Sequence, residues 1–168
     1  MKRGIAVSGF VFTALLGTLL HFVYEWSGKL AITGLISAVN ESTWEHLKLL
    51  YLPMVLFGVF EFFSYGRDNP RFFPAKVGGI LSGMLFITAF FYTYRGILGF
   101  NVDFLNIFDF FLGAAVAWTV QYRLLRKRKS CSPICHGAGL LGLIILGVLF
   151  AVFTFYPPNL GIFIDPTA

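Results

Sequence analysis

Charge is the scarcest commodity in this sequence. Asp, Glu, Lys and Arg supply 12% of its 168 residues against 57% hydrophobic, a balance that excludes an ordinary water-soluble domain. No polar, Ser-rich or Pro-rich linker interrupts the chain, so nothing divides it, and it has no internal repeat or low-complexity tract. Cysteine is nearly absent. Cys131, Cys135 and His136 form C-x3-C-H, which misses the C-x-x-C-H haem pattern and lacks a second ligand pair for a closed zinc site; two reduced cysteines on a cytoplasmic loop are expected. A nucleophile elbow, a P-loop and HExxH are missing as well. Gly137, Gly139 and Gly142 formally match G-x-G-x-x-G, but no strand precedes them, so a dinucleotide site is excluded.

What the chain has in abundance is apolar length. Mean hydropathy is +0.78 with 21 Phe, and several runs reach the roughly 20 residues that cross a bilayer core of about 30 Å. The expected fold is an all-α integral membrane bundle, one domain over 1–168, with spans at about 4–24, 44–65, 77–94, 103–123 and 137–156. The first run lacks a small-residue cleavage site and ends in His21–Trp26, so it reads as a retained helix whose Phe22, Tyr24 and Trp26 sit at an interface. Leu30 to Val39 is too short to span; Ile32, Leu35, Ile36 and Val39 share one helical face, predicting a short interfacial or re-entrant helix. Pro53 predicts a kink in the second span, and Gly79 and Gly83 a close helix contact in the third.

Orientation follows from where the basic residues fall. An N-in, C-out topology puts Lys2, Arg3, Arg67, Arg71, Lys76, Arg123, Arg126, Lys127, Arg128 and Lys129 inside, and only Lys29, Lys48 and Arg95 outside. The net charge of +5 then comes from loops facing anionic lipid and argues for no nucleic-acid partner. Glu61, near the inner end, is expected to pair with Arg67 or Arg71.

Against this background one stretch stands out: Asn40 to His46, NESTWEH. Ser42-Thr-Trp-Glu45 matches the capping box S-x-x-E, which accounts for Ser42 and Glu45 but not for Glu41 or His46. The sequon Asn40-Glu-Ser42 hugs the membrane, which argues against glycosylation. His21 and Glu25, four apart, stack on one face of the first helix above Thr18, Gly17 and Ala14; Asp103, Asn106 and Asp109 step by three along the fourth, above Gly113 and Ala117. Three helices thus deliver His, Glu, Asp and Asn to one outward-facing cavity. Buried ionisable groups within a bilayer are costly, and a convergent set is a functional signal.

His21-Phe-Val-Tyr-Glu-Trp26 and Asn40-Glu-Ser-Thr-Trp-Glu-His-Leu-Lys48 together resemble a family of small multi-pass membrane proteins from Gram-positive bacteria with no assigned function. The resemblance implies a plasma-membrane location and a shared role for these positions, and brings no reaction with it.

From the residues, the first expectation is a divalent metal site for Zn, Mn or Fe, with His21, His46 and Asp109 as ligands and, as catalytic candidates, Glu25 or Glu45 supporting a ligand or acting as general base. Asn40, Glu41, Asp103 and Asn106 would bind a small polar ligand or lipid headgroup, whose ester or amide the metal prepares for hydrolysis. Two alternatives use the same residues: a cation- or proton-coupled transporter with Glu61 as inner relay, and a non-catalytic anchor or sensor presenting NESTWEH.

Overall fold

A computed structural model describes residues 3–127 and 131–166; Lys2, Arg128 and Lys129 of the basic tally lie outside them. Five long helices dominate: α1 (Arg3–Trp26), α3 (Thr43–Glu61), α4 (Phe72–Leu98), α5 (Asp103–Leu125) and α6 (Pro133–Phe155), with a four-residue α2 (Ala31–Gly34) between the first two. A π-helical turn, Phe62–Gly66, continues α3, and a 3-10 turn, Gly161–Phe163, follows α6. No strand occurs among the described residues. Each long helix, α3 taken with its π turn, is long and apolar enough to cross a membrane. The expected five-span bundle is therefore present.

The outer surface is greasy and the interior holds the polar groups. Leu15, Leu85, Ile97 and Phe104 point outward, while Glu45, Lys48, Glu61, Lys76, Asp109 and Gln121 are buried. Water would reverse that distribution, and lipid tolerates it.

Small residues set the helix contacts. Added Cβ atoms on Gly79 and Gly83 would come within 2.7 Å of the Ala117 and Gly113 carbonyls, so α4 and α5 pack backbone to backbone. Pro53 lies inside α3 without ending it. Having no N–H, it leaves the Leu49 carbonyl without its helical donor, and Gly17 of α1 approaches that oxygen so closely that a Cβ would lie 2.7 Å from it.

Three expectations need correction. The helix predicted over Leu30 to Val39 stops at Gly34, because other elements claim its end: Lys48 Nζ donates to Gly34 O at 2.7 Å, while Ser37 Oγ donates to Leu20 O and accepts from Tyr24 N at 3.0 Å. Lys48, counted among the outside cations, and Lys76, counted in an inner loop, are both buried inside the bundle, α4 having begun early enough to carry Lys76 within it. Cys131 and Cys135 are joined in a disulfide rather than separate thiols. They lie one turn apart at the start of α6, where their Cα atoms are 5.7 Å from each other, within reach of a bridge.

Candidate metal centre

The N-terminus of α3 organises the polar end. Ser42 caps it, its Oγ accepting from Glu45 N; Ser42 N in turn donates to Asn40 Oδ1 at 2.9 Å, a local turn that fixes the approach of Glu41. One turn further on, the Ser42 carbonyl receives both His46 N at 3.3 Å and His46 Nδ1 at 3.0 Å. A carbonyl can only accept, so Nδ1 carries the proton and, in the neutral ring, Nε2 is left with its lone pair.

That lone pair faces Glu41. His46 Nε2 lies 3.4 Å from Glu41 Oε2, and His21 Nε2 lies 3.7 Å from Glu41 Oε1; the two imidazole centroids are 5.2 Å apart. One ligand atom from each of the three side chains falls within 4.8 Å of the others. Donors about 2.1 Å from a tetrahedral zinc sit about 3.4 Å from one another, so side chains now within 4.8 Å of one another would have to draw together to hold one. The His46 ring is held by the Ser42 carbonyl, the backbone of Glu41 by its N, which donates to Asp165 Oδ2 at 3.1 Å, and the turns of α1 on either side of His21 by Ser37, which contacts Leu20 O and Tyr24 N. A carbonyl on the non-ligating nitrogen is the usual support of a metal-binding histidine.

A cavity of about 40 Å³ opens beside the cluster, room for a few waters or a small polar group. Glu41, Thr43, His46, Asn101, Asn106 and Asp109 supply its polar lining, and Ile87, Phe91 and Phe110 its apolar wall. Tyr94 Oη contacts Asn101 Oδ1 at 2.7 Å and also Asn106 Oδ1, and Asn106 Nδ2 donates to Asn101 Oδ1 at 3.0 Å. Asp109 is buried at 2% exposure and its Oδ1 has no hydrogen-bond partner among the described residues. The chain's end closes over this region: Phe163 packs on Trp44 at 5.0 Å, and Pro166 reaches the cavity.

The nine residues singled out from sequence therefore separate. His21 and His46 meet, but their third partner is Glu41, expected to bind a polar ligand, rather than Asp109, which lies in the cavity wall. Asn106 joins that wall. Asp103, exposed in the first turn of α5, does not line the cavity, and Asn40 serves the turn before α3. Glu25 points away from the cluster, largely exposed and 3.3 Å from Lys29, since the fold turns its edge of α1 outward. Glu45 is occupied below the cap. Its Oε2 accepts from Lys48 Nζ at 2.6 Å and from Val39 N at 3.1 Å, its Oε1 from Thr154 Oγ1 at 2.8 Å, and Lys48 Nζ also donates to Thr154 at 2.9 Å. Both of its oxygens are engaged in this buried network. Lys48 and Thr154 were missed; the i,i+3 spacing of Glu45 and Lys48 signalled the first, and nothing signalled the second.

At the opposite end Glu61 pairs with Lys76, not with Arg67 or Arg71 as expected. Gln121 Nε2 donates to both its oxygens at 2.9 and 3.1 Å, and Tyr65 donates to Oε1. Lys76 Nζ sits 4.7 Å from the Trp118 ring centre, and Trp118 Nε1 donates to Thr13 at 3.0 Å.

Fold and site together define a class: a helical bundle with five helices fit to cross a membrane, carrying a His/Glu cluster that could hold a metal ion. More particularly, the chain matches the model of a family of unknown function (DUF6512) over residues 2–168 and belongs to that family. No curated protein and no solved structure matches it.

Proposed function

We propose that this is a multi-pass plasma-membrane protein, a single membrane domain, that holds a divalent cation at its outer face through His21, Glu41 and His46 and uses it to hydrolyse an ester or amide presented at the membrane surface. The observation that carries this reading is the meeting of three acceptor groups from α1, the α2–α3 connection and α3 within 4.8 Å, with the His46 tautomer set by the Ser42 carbonyl. Two imidazoles and a carboxylate suit zinc, manganese or iron, and three protein ligands leave a position open for water or substrate. The cation would polarise an oxygen and lower the pKa of water there. The side chains are about half-exposed or less, 29 and 30% for the histidines and 47% for Glu41, so solutes reach the site.

The transport reading is weakened by Glu61, whose oxygens are taken by Lys76, Gln121 and Tyr65; such saturation suits a lock between helices. The test of the metal reading is elemental analysis of the purified protein after loading with zinc or manganese and desalting. Wild type retains a stoichiometric ion, while His46→Ala and Glu41→Gln lose it. A wild type that retains none, or a His46→Ala protein that retains as much, would sink the proposal.

A further inference from the structure

Asp109 is the one buried carboxylate on the cavity wall whose environment leaves it unfinished. Its Oδ1 has no partner among the described residues although Asp109 is 2% exposed. The amide and hydroxyl groups of Tyr94, Asn101 and Asn106 bond to one another and not to Asp109 Oδ1. A buried acceptor of this kind calls for a donor, and a charged donor serves it best, because a carboxylate withdrawn from water loses most when it stays unpaired. Ile87, Phe91 and Phe110 on the same cavity offer the apolar surface that a short carbon chain needs, while Glu41 and His46 belong to both the cavity and the proposed cation site.

We propose that Asp109 is the recognition group for a primary ammonium, and that the cleft takes a small zwitterion with its ammonium on Asp109, its short carbon skeleton against Ile87, Phe91 and Phe110, and its anionic phosphate or carboxylate oxygen at the cation held by His21, Glu41 and His46. The anionic half rests on the cation reading; the ammonium half stands on Asp109 alone. Ethanolamine phosphate is the simplest molecule with this chemistry, found both free and as the headgroup of a phospholipid.

The experiment is calorimetric titration of the full-length, zinc-loaded protein in phosphatidylcholine nanodiscs with ethanolamine phosphate, inorganic phosphate and ethanolamine. Ethanolamine phosphate binds at least about tenfold more tightly than phosphate, as expected for one charge-assisted hydrogen bond in a buried site. Asp109→Asn removes that advantage while keeping phosphate affinity and bound zinc, which also shows that the variant is folded. Equal binding of the two phosphates to wild type, or unchanged ethanolamine phosphate binding by Asp109→Asn, overturns the proposal. If no zinc is retained, the cation reading has failed by itself, and Asp109-dependent binding of ethanolamine decides the ammonium half. Phosphatidylethanolamine discs identify the source: weakened binding of the soluble ligand there supports the proposal with a lipid headgroup as occupant, and unchanged binding supports it with a free one.

Discussion

Glu45 occupies the position of a capping box and performs half of its task. Ser42 receives the Glu45 backbone N, but the Glu45 carboxylate does not return to Ser42; it turns inward to Lys48, Thr154 and Val39 N. Removing one member of such a pair leaves the other buried and uncompensated, at about 3–5 kcal/mol. Lys48→Met and Glu45→Gln are each expected to lower the midpoint of thermal unfolding in detergent, and the double variant to recover part of the loss. His21→Ala, at a half-exposed site, should cost less than either, so a His21→Ala loss as large as that of Lys48→Met would show the imidazoles to be structural. The local signature was legible because a cap is written in adjacent residues. The pairing was not, since Thr154 lies 109 positions from Glu45 and no spacing rule spans that distance. For the same reason His21 and His46 were foreseen as neighbours, whereas the carboxylate beside them is Glu41 and Asp109 lines the cavity: predicted depth placed all four near one end, and depth does not say which side chains touch.

Whole helices were far easier to read than contacts. Composition and length alone delimit α1, α3, α5 and α6 to within a few residues of their expected bounds, because a bilayer demands a minimum apolar run. The exceptions are governed by distant groups. α4 begins at Phe72, ahead of the expected 77, and draws Lys76 in to meet Glu61; α2 ends early where Lys48 takes the Gly34 carbonyl. The Gly79 and Gly83 stripe was legible because small residues at that spacing have few other uses in a membrane helix. Gly83→Ala carries the element-scale prediction. Its Cβ would meet the Gly113 carbonyl at 2.7 Å and Ala117 Cβ at 2.8 Å, and backbone cannot rotate away as a side chain can. Overpacking of this kind costs about 1–3 kcal/mol. Gly96→Ala, where nothing lies within 4 Å, is the matched control within α4, and similar unfolding midpoints for the two would refute backbone contact between α4 and α5.

At the scale of the molecule, charge and cysteine pull the orientation in opposite directions. Arg67, Arg71, Arg123, Arg126 and Lys127 flank the helix ends that share a side with the start of α1, while Lys29 and Arg95 remain at the other once Lys48 is withdrawn into the bundle. From that bias we propose that the N-terminal side is cytoplasmic. The Cys131–Cys135 disulfide lies on the same side, and disulfides are uncommon in reducing compartments. Our proposal gives the basic residues the greater weight, because reduction would open only a one-turn loop and leave the Ser132 cap on Cys135 N in place, whereas moving five cations across a bilayer has no such easy escape. These are the chain's two cysteines, so they report the topology directly. After treatment with a permeant reductant, a membrane-impermeant maleimide should label the protein in permeabilised cells and leave it unlabelled in intact ones. Labelling of intact cells would invert the molecule, put the disulfide in an oxidising space, and turn the His21, Glu41 and His46 cluster toward cytoplasmic ligands.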